Sequence, residues 1–187
     1  GFAIGVWVYL KTGSTTLFAL IQLFITLPTI LIGPIAGALV DRWDRRRAMI
    51  LSDAGAAACT LTILLLLTSG KLEIWHIYLL LAVSSSFAAF QWPAYSAAVT
   101  LLVAKGQLGR ANGMVQVAEG VAQILAPVTA GVLIGLILLE GVMLIDLATF
   151  VVALTTLALA RVPRHVKTVE GQAGQGSLIK EALYGWS

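Results

Sequence analysis

Five stretches of this chain, at 17–40, 48–69, 74–98, 114–139 and 141–160, each run for roughly twenty residues or more with at most one acidic or basic side chain. A bilayer core about 30 Å thick takes roughly 20 apolar residues of helix, so each stretch has the length of a membrane span, with some allowance for tilt. A shorter apolar segment at 1–10 precedes them, and together they predict six helices. The chain opens on Gly1 and this first segment stops at Leu10, too short to cross alone. The expectation is therefore that helix one is truncated and that the chain continues beyond Ser187.

Composition agrees. Of 187 residues, 59% are hydrophobic and 11% charged, against roughly 45–50% and about 25% in an ordinary soluble domain. The mean hydropathy is +0.94. A water-soluble globule of this composition would have to expose large apolar patches, which monomeric soluble proteins rarely do. The single cysteine, Cys59, cannot form an intrachain disulfide or a cysteine-based metal site. It reads as a small buried apolar residue.

Charge placement says more than the net +3. Arg42, Arg45, Arg46, Arg47, Lys105, Arg110, Arg161, Arg164, Lys167 and Lys180 fall in one alternate set of connections, and only Lys11 and Lys71 in the other. Cytoplasmic loops carry the excess of Lys and Arg. The richer set is therefore expected in the cytoplasm, together with the N-terminus. Trp7, Tyr9, Trp75 and Tyr78 then fall at the outer boundary, as an aromatic belt would.

From Arg161 onward the composition changes, and the domain boundary is placed there: 1–161 as a six-helix transmembrane bundle, 162–187 as a cytoplasmic loop. Gly-Gln-Ala-Gly-Gln-Gly-Ser at 171–177 reads as a flexible linker. It lacks the lysine and the preceding strand of a phosphate-binding loop. Ser177 then caps the start of an amphipathic helix, with Leu178, Ile179, Leu183 and Trp186 on one side and Lys180 and Glu181 on another.

The most specific segment is Gly37-Ala-Leu-Val-Asp41-Arg42-Trp-Asp44-Arg45-Arg46-Arg47. Four arginines suffice to fix topology. Topology needs neither Asp41 nor Asp44, nor a glycine one turn earlier, and the juxtaposition points to a breakable ion-pair cluster. Gly-x-x-x-Asp-Arg-x-x-Arg-Arg between a second and a third span resembles the signature loop of the major facilitator superfamily. Asp44 stands where that pattern usually has glycine. With Arg45 to Arg47 and the later Pro93-Ala94, Leu102-Val103, Leu108 and Ala111-Asn112-Gly113, the chain is similar to the bacterial secretion-effector, or enterobactin-exporter-like, branch.

The resemblance implies an all-α membrane protein: a six-helix bundle forming the N-terminal half of a twelve-helix major facilitator fold in the bacterial inner membrane. It implies a gate at Gly37, Asp41, Arg42, Asp44, Arg45 and Arg46, and a partner in the remaining six-helix half. It also implies that the first and fourth helices line a central cavity, which makes Gln91, Trp92 and Ser85 the substrate-contact candidates. Interhelical hydrogen bonding and packing are the competing reading of those three.

Glycine and proline interrupt the second span at Gly33, Pro34 and Gly37, and the fifth at Ala126, Pro127 and Gly131. Corresponding interruptions in the two three-helix repeats are a pointer to a transporter built from inverted repeats. Proline frees a carbonyl and small residues admit close approach, so such helices bend and slide against a partner. In the superfamily these two helices face the opposite half. The alternative is packing within one bundle, through the Gly33/Gly37 and Gly131/Gly135 pairs.

Carboxylates at membrane depth are costly and default to functional hypotheses. Asp53 and Glu119 both sit within reach of the arginine loop. Asp53 is expected to be a structural partner of that loop; Glu119 has the same alternative and is also a proton-coupling candidate. Asp146 is expected near the outer end of its span, in contact with water.

The reading is a secondary transporter that exports small amphipathic molecules of drug or siderophore type by alternating access, with protons as candidate coupling ion. The alternative is a membrane subunit or scaffold of a multi-component transporter. An intramembrane enzyme is disfavoured, since His76 sits at the very edge of its span, His165 lies outside the spans and no hydrolase or metalloprotease motif occurs. No cofactor, metal or nucleic-acid site is indicated.

Overall fold

The computed structural model describes residues 1–159, apart from the side chains of Asp41, Arg42, Ala98, Thr100, Leu101, Leu102 and Lys105. The expectations for 162–187 lie outside the described residues. Six α-helices follow one another: α1 (Phe2–Thr12), α2 (Thr15–Arg42), α3 (Arg45–Thr68), α4 (Ile74–Ala88), α5 (Gln91–Leu102) and α6 (Leu108–Leu159), with one 3₁₀ turn at Lys105–Gln107 before α6.

Local chemistry sets the ends. Gly13, at φ 67, closes α1 in the left-handed conformation and donates its N–H to the Tyr9 carbonyl, 2.7 Å away. Ser14 then opens α2, its hydroxyl accepting from the Leu17 N–H at 3.3 Å. Asp44 opens α3, with Oδ1 accepting from the Arg46 and Arg47 N–H groups at 3.0 and 3.2 Å. The acidic residue inside the arginine run is thus a helix cap, and it breaks α2 from α3 in a two-residue turn.

At about 1.5 Å per residue, α2 and α3 are about 42 and 36 Å long, enough to cross a bilayer. Two features modify the six runs seen in the sequence. The fourth span, 74–97, runs as one apolar helical stretch that tightens between α4 and α5 at Ala89 and Phe90, where both residues keep right-handed helical φ/ψ but the Phe90 N–H bonds the Phe87 carbonyl at 3.1 Å. The cause is Pro93, whose ring and missing N–H act against the carbonyl four residues earlier, that of Ala89. Conversely, the fifth and sixth runs are not separated by a polar turn at 139–141. They are continuous in α6 except at Leu138, at φ 60 and ψ −179.

A straight 52-residue helix would be about 78 Å long, far beyond one bilayer. The contacts show two limbs instead. Residues 115–122 share a cavity with Met49 near the start of α3, and Arg46, also there, reaches the carbonyls of Leu157 and Ala158. Both limbs therefore meet the arginine-loop end, so the chain reverses at Leu138. The distal limb runs antiparallel to α3, with Thr60 donating to Asp146 Oδ2 at 3.3 Å further along.

α3 sits centrally, against α4, α5 and the distal limb; α2 packs on α4 and α1 on α6. The main core joins Ile4, Val8, Ile21, Ile63, Leu64, Ile77, Leu81, Leu139 and Met143. A smaller one, Val40, Ala48 and Ala94 with Met49 and Phe90, lies at the arginine-loop end. In lipid such contacts hold by packing density rather than by escape from water. Large apolar side chains remain uncovered on α2 (Leu27, Ile30, Leu31) and on the proximal limb of α6 (Ile124, Val128, Leu136), which suits a hydrocarbon solvent.

Candidate functional site: a cavity beside the broken fourth span

The tightened turn between α4 and α5 organises the polar groups at membrane depth. It sets Gln91 and Trp92 on the first turn of α5. α3 docks against it through three positions in one turn. Ser52 donates its hydroxyl to the Phe87 carbonyl at 2.8 Å, satisfying an acceptor at that turn. Asp53, buried at 6% exposure, accepts from Gln91 Nε2 at 2.9 Å. Gly55 lies under the Phe87 ring, where a Cβ would collide with it.

Asp53 was expected to hold the arginine loop; among the described residues its partner is Gln91. Arg45 and Arg46 bind carbonyls. Arg45 Nη1 donates to Ala97 O at 2.6 Å, and Arg46 donates through Nε to Leu157 O at 2.7 Å and through Nη2 to Ala158 O. Charge-assisted bonds of this kind are stronger than neutral ones. They tie the start of α3 to α5 and to the last described turn of α6. Asp44 caps α3, as described above. The side chains of Asp41 and Arg42 lie outside the described residues.

Beside the tightened turn is a cavity of about 550 Å³, walled by Met49, Gln91, Trp92, Tyr95, Val115 and Glu119 with three alanines. This is within the few hundred to a thousand Å³ typical of small-molecule pockets. Trp92 and Tyr95 lie 6.1 Å apart, ring centre to ring centre, and Trp92 is 47% exposed. The arrangement is an apolar, aromatic wall with one carboxylate and one amide converging on it. Such a site holds an amphipathic molecule by ring stacking and orients it by one or two polar contacts.

The structure thus brings together Gln91, Trp92 and Glu119, which the sequence reading assigned to two different roles. Ser85 is not with them: it is buried at 6% exposure and lines neither this cavity nor the neighbouring one. That second cavity, about 460 Å³, shares Gln91 as a wall and is lined by Thr60, Ser84 and Asp146 among others. Tyr78, read as a boundary anchor, stacks on Phe24 at 4.9 Å and donates its hydroxyl to Leu17 O at 3.4 Å. Ser52, Gly55 and Tyr95 were missed. Only Pro93, just past the tightened turn, signalled them indirectly.

The helix-bending residues are open. A Cβ on Gly33, Gly37, Gly131 or Gly135 would meet nothing within 4 Å, so these small faces do not pack within the described bundle. Ala126 is exposed and Pro127 half-buried on the same helix; Pro34 is half-buried in a helix that continues through it. Among the described residues no three His, Cys, Asp or Glu side chains gather as a metal site would need.

No solved structure matches the chain. Macrolide efflux protein A of Streptococcus pyogenes is 32% identical over 154 residues, covering 82% of this chain and 38% of that protein. Its namesake in Enterococcus faecalis is 32% identical over 138 residues, 74% of this chain and 43% of that one. The MFS-type transporter YfiS of Bacillus subtilis is 28% identical over 132 residues, 71% and 30%. The chain therefore matches about two fifths or less of the length of these relatives. The sequence profile of the Major Facilitator Superfamily matches residues 1–186, and the chain belongs to that family.

Proposed function

We propose that the chain is the N-terminal six-helix half, built from two inverted three-helix repeats, of a multi-pass secondary transporter that exports small amphipathic molecules by alternating access. The observation that carries this reading is the 550 Å³ cavity where Gln91, Trp92 and Glu119 converge beside the tightened turn of the fourth span. A mostly apolar pocket with a few convergent polar groups is the kind of site that holds a small molecule. The names of the streptococcal and enterococcal relatives support a drug-type cargo, with a macrolide as the first candidate.

In this account the arginine-rich 41–47 loop faces the cytoplasm. Asp41, Arg42, Arg45 and Arg46 latch that side closed while the cavity faces outward. Gly33, Pro34, Ala126, Pro127 and Gly131 present small faces to the other half, which slides over them. Glu119, on the wall of the cavity beside the cargo, is the coupling carboxylate. Asp53 holds Gln91 in place.

The test is macrolide accumulation in cells making the full-length protein. Efflux is expected to stop when the proton gradient is collapsed. Asp41→Asn is expected to leave membrane abundance intact and slow efflux by about tenfold, a loss of about 1.4 kcal/mol in the closing step. Unaltered efflux in that variant contradicts the latch, and efflux that persists without the gradient contradicts proton coupling.

A further inference from the structure

At the opposite end of the bundle from the arginine loop, a cavity of about 480 Å³ opens between the last turns of α1 and the segment leading into α4. Its walls include Val8 and Ile77, buried at 1% and 0% exposure. The same cavity is lined by two charges of opposite sign. Lys11 lies over the indole of its own helix, with Nζ 4.7 Å from the centroid of Trp7. Glu73 is held by a different tryptophan, Trp75, whose Nε1 donates to Oε2 at 2.6 Å. Trp75 in turn lies on His76, with ring centres 3.8 Å apart, and the Glu73 N–H donates to His76 Nδ1 at 3.2 Å.

Each charge is thus fixed in place by an indole, and both face one cup with apolar walls. The cup lies where the apolar spans end, since α3 stops at Thr68 and the next span starts at Ile74. A ligand there meets water on one side and hydrocarbon on the other. An anionic headgroup would satisfy Lys11 but be repelled by Glu73; an amphipathic cation would do the reverse. A zwitterion satisfies both, and an ammonium is further favoured by the indole faces.

We propose that this cup binds the headgroup of a zwitterionic phospholipid, with its phosphate on Lys11 and its ammonium between Glu73 and Trp75. The assignment is independent of the transported molecule. Bound lipid would brace α1 against the start of α4, which line this cup together.

The experiment is native mass spectrometry of the full-length protein released from detergent, offered equal amounts of phosphatidylethanolamine and phosphatidylglycerol with matched acyl chains. Wild type is expected to retain phosphatidylethanolamine roughly fivefold better, the effect of one favourable charge contact at a membrane surface. Glu73→Gln is expected to abolish that preference, Lys11→Gln to lower retention of both lipids, and Lys11→Arg to restore it. Because Glu73 and Lys11 are both exposed, the conservative Glu73→Asp variant serves as a folded control that keeps the charge. Equal retention by wild type, or a preference that survives both Gln variants, would overturn the assignment. A raised KM for the exported molecule in those variants, with lipid retention unchanged, would overturn it too and give the cup to the cargo.

Discussion

Gln91 and Asp53 are the pair on which the candidate site rests. A buried carboxylate in a membrane span needs a donor, and Gln91 supplies one across two helices at 2.9 Å. Removing the donor leaves the acid with an unmet acceptor, whereas removing both leaves neither. Gln91→Ala is therefore expected to lower the unfolding free energy of the detergent-solubilised protein by about 1–2 kcal/mol, and the double variant with Asp53→Ala to lose about 1 kcal/mol less than the sum of the singles. Additive losses would separate the two residues. In the sequence these two were legible only one at a time: polar residues at membrane depth stand out by cost, but hydropathy carries no information about which finds which. Asp53 therefore looked nearest to the arginines, on the adjacent loop of its own helix, and the partner it has among the described residues lies 38 positions away.

At the scale of elements, span positions were legible because lipid demands long uncharged runs, and these runs survive in α2, α3, the 74–97 stretch and α6. What runs of apolar residues cannot reveal is where the backbone bends inside them. The tightened turn at Ala89 and Phe90 follows from Pro93, yet Pro28, Pro34 and Pro127 sit in helices without one, so proline alone did not locate it. The reversal at Leu138 has no polar or glycine residue at the turn itself. Leucine at φ 60 and ψ −179 occupies a region that costs about 1–3 kcal/mol for a residue with a Cβ, and its side chain is 66% exposed. Leu138→Gly is therefore expected to raise the stability of the solubilised protein by about 1 kcal/mol after the entropic cost of glycine; a lowered melting midpoint would refute the strained reversal.

Glycines divide in the same way. Gly55→Ala would drive a methyl into the Phe87 ring, and a loss of about 1–3 kcal/mol is expected, partly recovered by trimming Phe87 to Leu. Gly37→Ala meets open space in this bundle, so its unfolding midpoint is expected to stay near that of wild type while efflux by the full-length protein falls. A stability loss at Gly37 equal to that at Gly55 would show that its face is packed within the six helices.

For the whole molecule, the fold class and family were legible from the apolar segments and the arginine loop, because long uncharged runs follow from spanning a bilayer and the loop carries a motif resembling that of the family. The site was half legible. Gln91 and Trp92 were singled out apart from Glu119, and only the folded chain puts the three on one cavity, which residues 115–122 and α5 line from different parts of the chain. The account's central claim is that this cavity holds the exported molecule. The most direct test is the concentration dependence of efflux by the full-length protein carrying Trp92→Ala or Glu119→Gln, at matched membrane abundance. Loss of a stacking or polar contact is expected to raise KM by about tenfold for Trp92→Ala, with Glu119→Gln also abolishing the response to the proton gradient. Wild-type KM and wild-type gradient dependence in both variants would contradict the assignment of the cavity.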